Sequence, residues 1–197
     1  ATPGAMEPSQ CESTQPPGCT AGLAASVQVI SFDTYRNPKS NGDETFVVKF
    51  TGLSGKAQEQ HGTTETAIDG QFTDQGNGQY IMAWETQVAG EYELTIQSGG
   101  QNIGTALDAS APKSPYTVQV LADVAAPSGC YVSTSDPADP WVDTRSLTAT
   151  AGVEETLYIY AGDRFGNPVT AEGLSFSVQR QFVEDPDRDP NNCANNG

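Results

Sequence analysis

The chain has 197 residues, with 25 acidic and 9 basic side chains and a formal net charge of −16 at pH 7. Such a surface repels nucleic acid and anionic lipid, so neither is expected as a partner. Glycine (20) and proline (13) are plentiful, while no apolar run approaches the ~20 residues needed to span a bilayer. No long apolar pattern of period 3.6 appears either, and the whole composition points to an all-β chain rich in turns.

Residues 1–20 are rich in Pro, Ser and Gln and offer at most a short edge strand near Cys11. Alternation begins at Ala24: Val27 and Val29 point one way and Ser31 continues that face. Asp33 to Pro38 is turn chemistry, because Asn tolerates left-handed backbone and Pro cannot enter a following central strand. Phe46, Val48 and Phe50 then oppose Val47, Lys49 and Thr51, the pattern of a half-buried strand. Gly52 to Thr64 reads as a loop carrying the single histidine, His61, and Thr66 to Phe72 as a short strand.

Asn77-Gly78 closes a tight hairpin signal at Asp74–Gly78. Beyond it, Tyr80, Met82 and Trp84 face inward, as do Tyr92, Leu94 and Ile96 after Ala89-Gly90. Gly99 to Ala111 reads as a long flexible connection, and a last strand places Tyr116, Val118 and Val120 inward. About seven strands at this spacing predict an antiparallel sandwich.

The chain repeats itself. Ala21-Gly22-Leu23 through Asp33-Thr34-Tyr35-Arg36-Asn37-Pro38 returns, without a gap and at a constant offset of 130, as Ala151-Gly152-Val153 through Asp163-Arg164-Phe165-Gly166-Asn167-Pro168. Pro127-Ser128-Gly129-Cys130 echoes Pro8-Ser9-Gln10-Cys11, and Leu174, Phe176 and Val178 match Phe46, Val48 and Phe50. Duplication of a whole supersecondary unit means two copies of one module. The organisation that follows is a leader at 1–20, a full repeat at 21–123, a linker or insert at 124–150 holding Trp141, and the start of a second repeat at 151–197 ending in an acidic, Asn-rich tail. A half sandwich exposes its core face, so the chain is expected to be a piece of a larger protein or to borrow strands from a partner chain.

Cys11, Cys19, Cys130 and Cys193 all lie in Pro-, Gly- or Asn-rich surroundings. An even count in loops favours disulfides and an oxidising compartment. Three pairings are open; Cys11–Cys19 with Cys130–Cys193 is preferred because each bond stays within its module.

Four motifs occur in order: Asp33-x-Tyr35-x-Asn37-Pro38, Asp74-x-Gly76-Asn77-Gly78-Gln79-Tyr80, Ala89-Gly90-Glu91-Tyr92, and Ser114-Pro115-Tyr116-Thr117-Val118. Together they resemble the filamin-type immunoglobulin-like repeat, fully over about residues 21–121 and partly over 151–180. The cysteine-bearing leader and the long Gly99–Ala111 connection depart from that pattern. Repeats of this kind also occur in cell-surface proteins of algae and plants, gamete adhesion proteins among them. The resemblance implies tandem sandwiches with a structural or adhesive role: spacers whose partners are neighbouring repeats of the same or a like chain, or another protein. It also implies peptide binding by strand addition in the groove between the third and fourth strands. Here Val47, Lys49 and Thr51 would line that groove, faced by Thr66 and Ile68; the plainer reading makes them solvent-facing residues of a spacer. The location implied is extracellular or cell-surface. The rivals are an intracellular cytoskeletal or ciliary scaffold, and a carbohydrate-binding β module using Trp141.

The remaining signals are weaker. Asp185, Asp187 and Asp189, spaced by two, could supply oxygen ligands to calcium, but the Gly at the sixth position and the closing Glu of a calcium loop are missing. A solvated acidic linker is the plainer reading, and no other cofactor is expected. His61 has no paired nucleophile or metal-ligand neighbour in sequence, and no phosphate loop or catalytic carboxylate pair appears, so no enzyme is expected. Ile30, Phe32 and Tyr160 fall on the face opposite the inward alternation, which marks either a module contact or a bulge that shifts the register.

Overall fold

The computed structural model describes residues 2–61, 71–133, 152–154, 156–170 and 173–177. Two sheets face each other in the first module. One has the order β1-β3-β6-β5, from strands Glu12–Ser13 (β1), Ala25–Ile30 (β3), Gln79–Trp84 (β6) and Gln71–Asp74 (β5). The other runs β2-β9-β7-β4, from Cys19–Thr20 (β2), Tyr116–Leu121 (β9), Gly90–Ser98 (β7) and Val47–Gly52 (β4), with β8 (Gln101–Asn102) added on β7. All pairings are antiparallel except β2 with β9, which is parallel.

The alternation read in the sequence sets this core. Val27, Val29, Phe50, Tyr80, Met82, Trp84, Tyr92, Leu94, Ile96, Tyr116, Val118 and Val120 are all buried, and Ser31 closes the same face. Burying each of these side chains contributes roughly 1.5–3 kcal/mol against chain entropy. Ring contacts tie the layers together, with Phe50 4.9 Å from Trp84 and Phe46 4.9 Å from Tyr80.

Three stretches differ from expectation. The leader supplies a short edge strand next to Cys11, β1, as its sequence allowed, but it also supplies β2 to the other sheet and so crosses between layers. The connection after β7 is folded rather than flexible. Ile103 is fully buried, and the backbone N–H groups of Gly104 and Ala106 donate to the carbonyls of Pro8 and Ser9. The leader and this connection are therefore one structure, the connection's N–H groups donating to the leader's carbonyls. Finally, Gly55–His61 is a helix (α1), not a loop. Lys, Ala, Gln and Glu favour helix, yet only Ala57 and His61 are buried, too few to write a 3.6-residue apolar period.

The preferred disulfide Cys11–Cys19 is corrected by the same geometry. Cys11 packs in the core, 0% exposed, while Cys19 opens β2 on the other sheet, and both are free thiols, as is Cys130. Burial pushes the Cys11 thiol up to about 11, which keeps it protonated and inert. Cys193 lies outside the described residues.

The second module begins as a copy of the first. β10 (Tyr131–Ser133) pairs antiparallel with β11 (Tyr158–Tyr160) in the register that β1 takes on β3. Its apolar residues are poorly covered, however: Leu157 is 49% exposed where its counterpart Val27 is 1% exposed. Leu174 and Phe176, expected in a strand, lie in no strand and are half in solvent. No described residue packs a second sheet over them, so their burial has nothing to drive it.

Candidate protein-binding site

β4 is an edge. It pairs with β7 on one side, Val47 opposite Gln97 through Gly52 opposite Tyr92, and with no described strand on the other. The phase of the ladder fixes which backbone groups are open. Leu53 N–H donates to Glu91 O at 2.8 Å, and hydrogen-bonded residues alternate along an antiparallel pair. Thr51, Lys49 and Val47 therefore direct their peptide groups to β7, whereas Val48, Phe50 and Gly52 direct theirs to the open edge. The β7 side agrees: Ile96, opposite Val48, turns its N–H away from β4 to the Ser114 hydroxyl.

Of the expected groove residues, Val47 is half exposed, and Lys49 and Thr51 are partly buried on the outer face, beside Thr95 and Glu93 of β7. Thr66 and Ile68 lie outside the described residues. The strand that faces β4 across the sandwich edge is β5, with Phe46 and Phe72 in ring contact at 5.1 Å. α1 seals the far end of this edge. A Cβ on Gly52 would come within 2.0 Å of Ala57 O, and one on Gly90 within 2.5 Å of the Ala57 methyl, so glycine at both positions lets the helix sit down. His61, at the end of α1, is buried near Tyr92, and burial lowers its pKa.

A second surface emerges where the modules meet. In the first module, Asp33 organises its turn: Oδ1 accepts the N–H of Tyr35 (2.9 Å) and of Asn37 (2.8 Å), and Oδ2 accepts Asn37 Nδ2 (2.9 Å) and Gly4 N–H (3.0 Å). In the second module, Asp163 repeats this with Phe165 (2.9 Å), Asn167 (2.9 Å), Asn167 Nδ2 (2.7 Å) and Asp123 N–H (3.0 Å). The hydrogen bond from the Asn37 side chain, with the backbone donors, holds the Asp33 carboxyl down at about 2. Burial works to raise Asp163, but its donors, Asn167 foremost, leave it lowered.

The two turns differ in what lies beyond them. The second turn docks on the first module: Asn167 Nδ2 donates to Gln87 O (2.8 Å) and its Oδ1 accepts Ala89 N–H (2.9 Å). Lys56 of α1 donates to the carbonyls of Phe165 (3.3 Å) and Gly166 (3.2 Å). The Phe165 ring packs against the first module's core over Gly22, where a Cβ would lie 2.5 Å from it. Asn167 is fully buried, and Arg164 stacks on Phe165 and pairs with Asp123 of the connecting segment. None of these junction residues was singled out as a contact by sequence; the gapless return of the Asp33–Pro38 turn as Asp163–Pro168 was the one signal pointing there.

Asp185, Asp187, Asp189 and Trp141 lie outside the described residues. Among the described ones, no three His, Cys, Asp or Glu side chains gather as a metal-ligand set, and no helix is long and apolar enough to cross a membrane.

No family model matches the chain, and no curated protein does. Solved structures do. The Escherichia coli adhesin FdeC aligns with a TM-score of 0.52 at 19% identity, over 86% of this chain and 46% of that one. Invasin, a bacterial integrin-binding protein, aligns with a TM-score of 0.52 at 18% identity, over 93% of this chain and 34% of that one. A Lin-41 filamin domain aligns over 61% of this chain and 97% of its own, at 13% identity and a TM-score of 0.42. The chain thus spans about half or less of the two adhesive proteins it matches. At these identities the likeness is one of fold: an all-β, immunoglobulin-like sandwich architecture, as the filamin-type motifs implied.

Proposed function

We propose that this chain is a non-enzymatic structural and adhesive segment, two immunoglobulin-like modules set end to end, that spaces and presents a binding edge for another protein. The observation that carries the reading is the direction of the β4 backbone. Val48 and Phe50, ahead of the end that α1 covers, turn outward peptide groups that no described strand pairs, and such an edge accepts an extended segment as an added strand. The fold shared with surface adhesins supports a cell-surface location. The free, partly accessible thiols of Cys19 and Cys130 favour a second reading, an intracellular scaffold, because an oxidising compartment tends to pair accessible thiols.

The test is selection of binders from a displayed library of random peptides, followed by amide chemical-shift mapping. Binders are expected to move the amides of Val48 and Phe50 and to lose affinity at least tenfold on Val48→Pro. That change removes an outward N–H while leaving the β7 ladder intact. Binders that all map elsewhere, or that tolerate Val48→Pro, would remove strand addition and leave the spacer role alone.

A further inference from the structure

The turn Asp33–Pro38 has the same hydrogen bonds as Asp163–Pro168, but no described residue is seated against Tyr35 or Asn37 at its tip, and Arg36 between them turns back to pair with Glu12 of its own module. Tyr35 is 86% exposed where Phe165 is packed on a core, and Asn37 is exposed where Asn167 is fully buried between Gln87 and Ala89. The backbone is the same in detail. Arg36 (φ 61) holds the left-handed position that Gly166 (φ 76) holds in the docked copy. The turn-closing bridges also match, Phe32 with Pro38 and Gly162 with Pro168. A left-handed non-glycine residue costs about 1 kcal/mol or more, so the first turn keeps its shape against a local penalty. One element of the receiving seat recurs as well: Gly152 repeats the φ of Gly22 (81 against 76), with no described atom within 4 Å of its Cβ position.

We infer that the Tyr35–Asn37 tip is a docking plug for a second module of this type, seating on that module's Gly22, Lys56 and Gln87–Ala89 as Phe165–Asn167 seats on them here. Tyr35 would lie beside the glycine with its hydroxyl turned to solvent, Asn37 would bridge the Gln87 carbonyl and the Ala89 N–H, Arg36 would stay turned back on Glu12 of its own module, and Lys56 would reach the carbonyls of residues 35 and 36. The contact is head-to-tail, so it propagates along an array rather than closing a pair. It rests on the reading of the chain as a modular spacer and names the partner of one end.

The experiment joins residues 1–122 to residue 4 of the full chain, since Gly4 and Asp123 hold equivalent places, each donating its N–H to the turn aspartate. In the leading copy Tyr35 is replaced by Ala, so that a single Tyr35 is followed by hydroxyl-radical labelling. Labelling of that Tyr35 is expected to fall several-fold relative to the unfused chain, and to recover when Lys56→Glu is placed in the leading copy alone. Labelling equal to that of the unfused chain, or protection that survives Lys56→Glu, would overturn the proposal. Peptide capture at β4 is read separately, so its success or failure stays distinct from this one.

Discussion

A single carboxylate sets the shape of the repeated turn in each module. Asp33 receives three backbone N–H groups and one side-chain amide, and a carboxylate so surrounded is harder to protonate than a free one. Its folded pKa, about 2, lies below its ordinary value near 4. The sign follows from linkage: a depressed carboxyl adds stability above its unfolded pKa, and that contribution is lost as pH falls through the folded one. The first module should therefore melt at steadily lower temperature from about pH 4 down to about pH 2. Asp33→Asn should be less stable at neutral pH, because an amide cannot accept all four donors, and should show a flatter fall over that window. An Asn variant with the wild-type slope would assign the acid sensitivity to other groups, Asp163 first among them.

At the scale of elements, the strands whose alternation has a period of two were legible. Each of β3, β4, β6, β7 and β9 lies where the apolar pattern of Val27 to Val120 put it, whereas a binding groove beside β4 was implied only by the resemblance to the filamin-type repeat. What escaped were elements stabilised by something other than periodic burial. α1 rests on helix propensity and on two glycines, Gly52 and Gly90, that leave room for Ala57. β1 and β2 are two residues long, too short to carry a period. The segment after β7 is held by one buried side chain, Ile103, and by hydrogen bonds to the leader. Cysteines in Pro-rich sequence looked like exposed disulfide partners, yet Cys11 is a small apolar filler beneath that same junction of leader and connection. If the connection belongs to the core, Ile103→Ala should cost about 2–5 kcal/mol in denaturant unfolding. A truly flexible connection would lose no more than about 0.5 kcal/mol, as exposed positions do. The measurement separates the two without reference to binding.

For the whole molecule, what matters is whether the two modules are hinged or fixed. Linkers between modules commonly permit relative motion unless the contact is well made. Here the contact is small but every polar group at its centre is satisfied: the Asn167 amide donates to Gln87 and accepts from Ala89 while holding Asp163, and Lys56 reaches two carbonyls of the same turn. Groups that share one turn act as a unit, so their losses should not add. Asn167→Ala leaves the part-buried Gln87 carbonyl and Ala89 N–H without partners, a penalty of at most about 1–3 kcal/mol each, and that penalty falls on the docked arrangement alone. The undocked chain can hydrate both groups. The variant should therefore stay folded in its first module while the modules swing apart, seen as a broadened distance distribution in small-angle scattering and faster amide exchange at Ala89. Adding Lys56→Ala should change the scattering little further, because the turn has already left its seat. A variant whose scattering and Ala89 exchange match wild type would mean that the Phe165 ring over Gly22 holds the junction by itself, and that the spacing depends on apolar contact, not on the polar clasp.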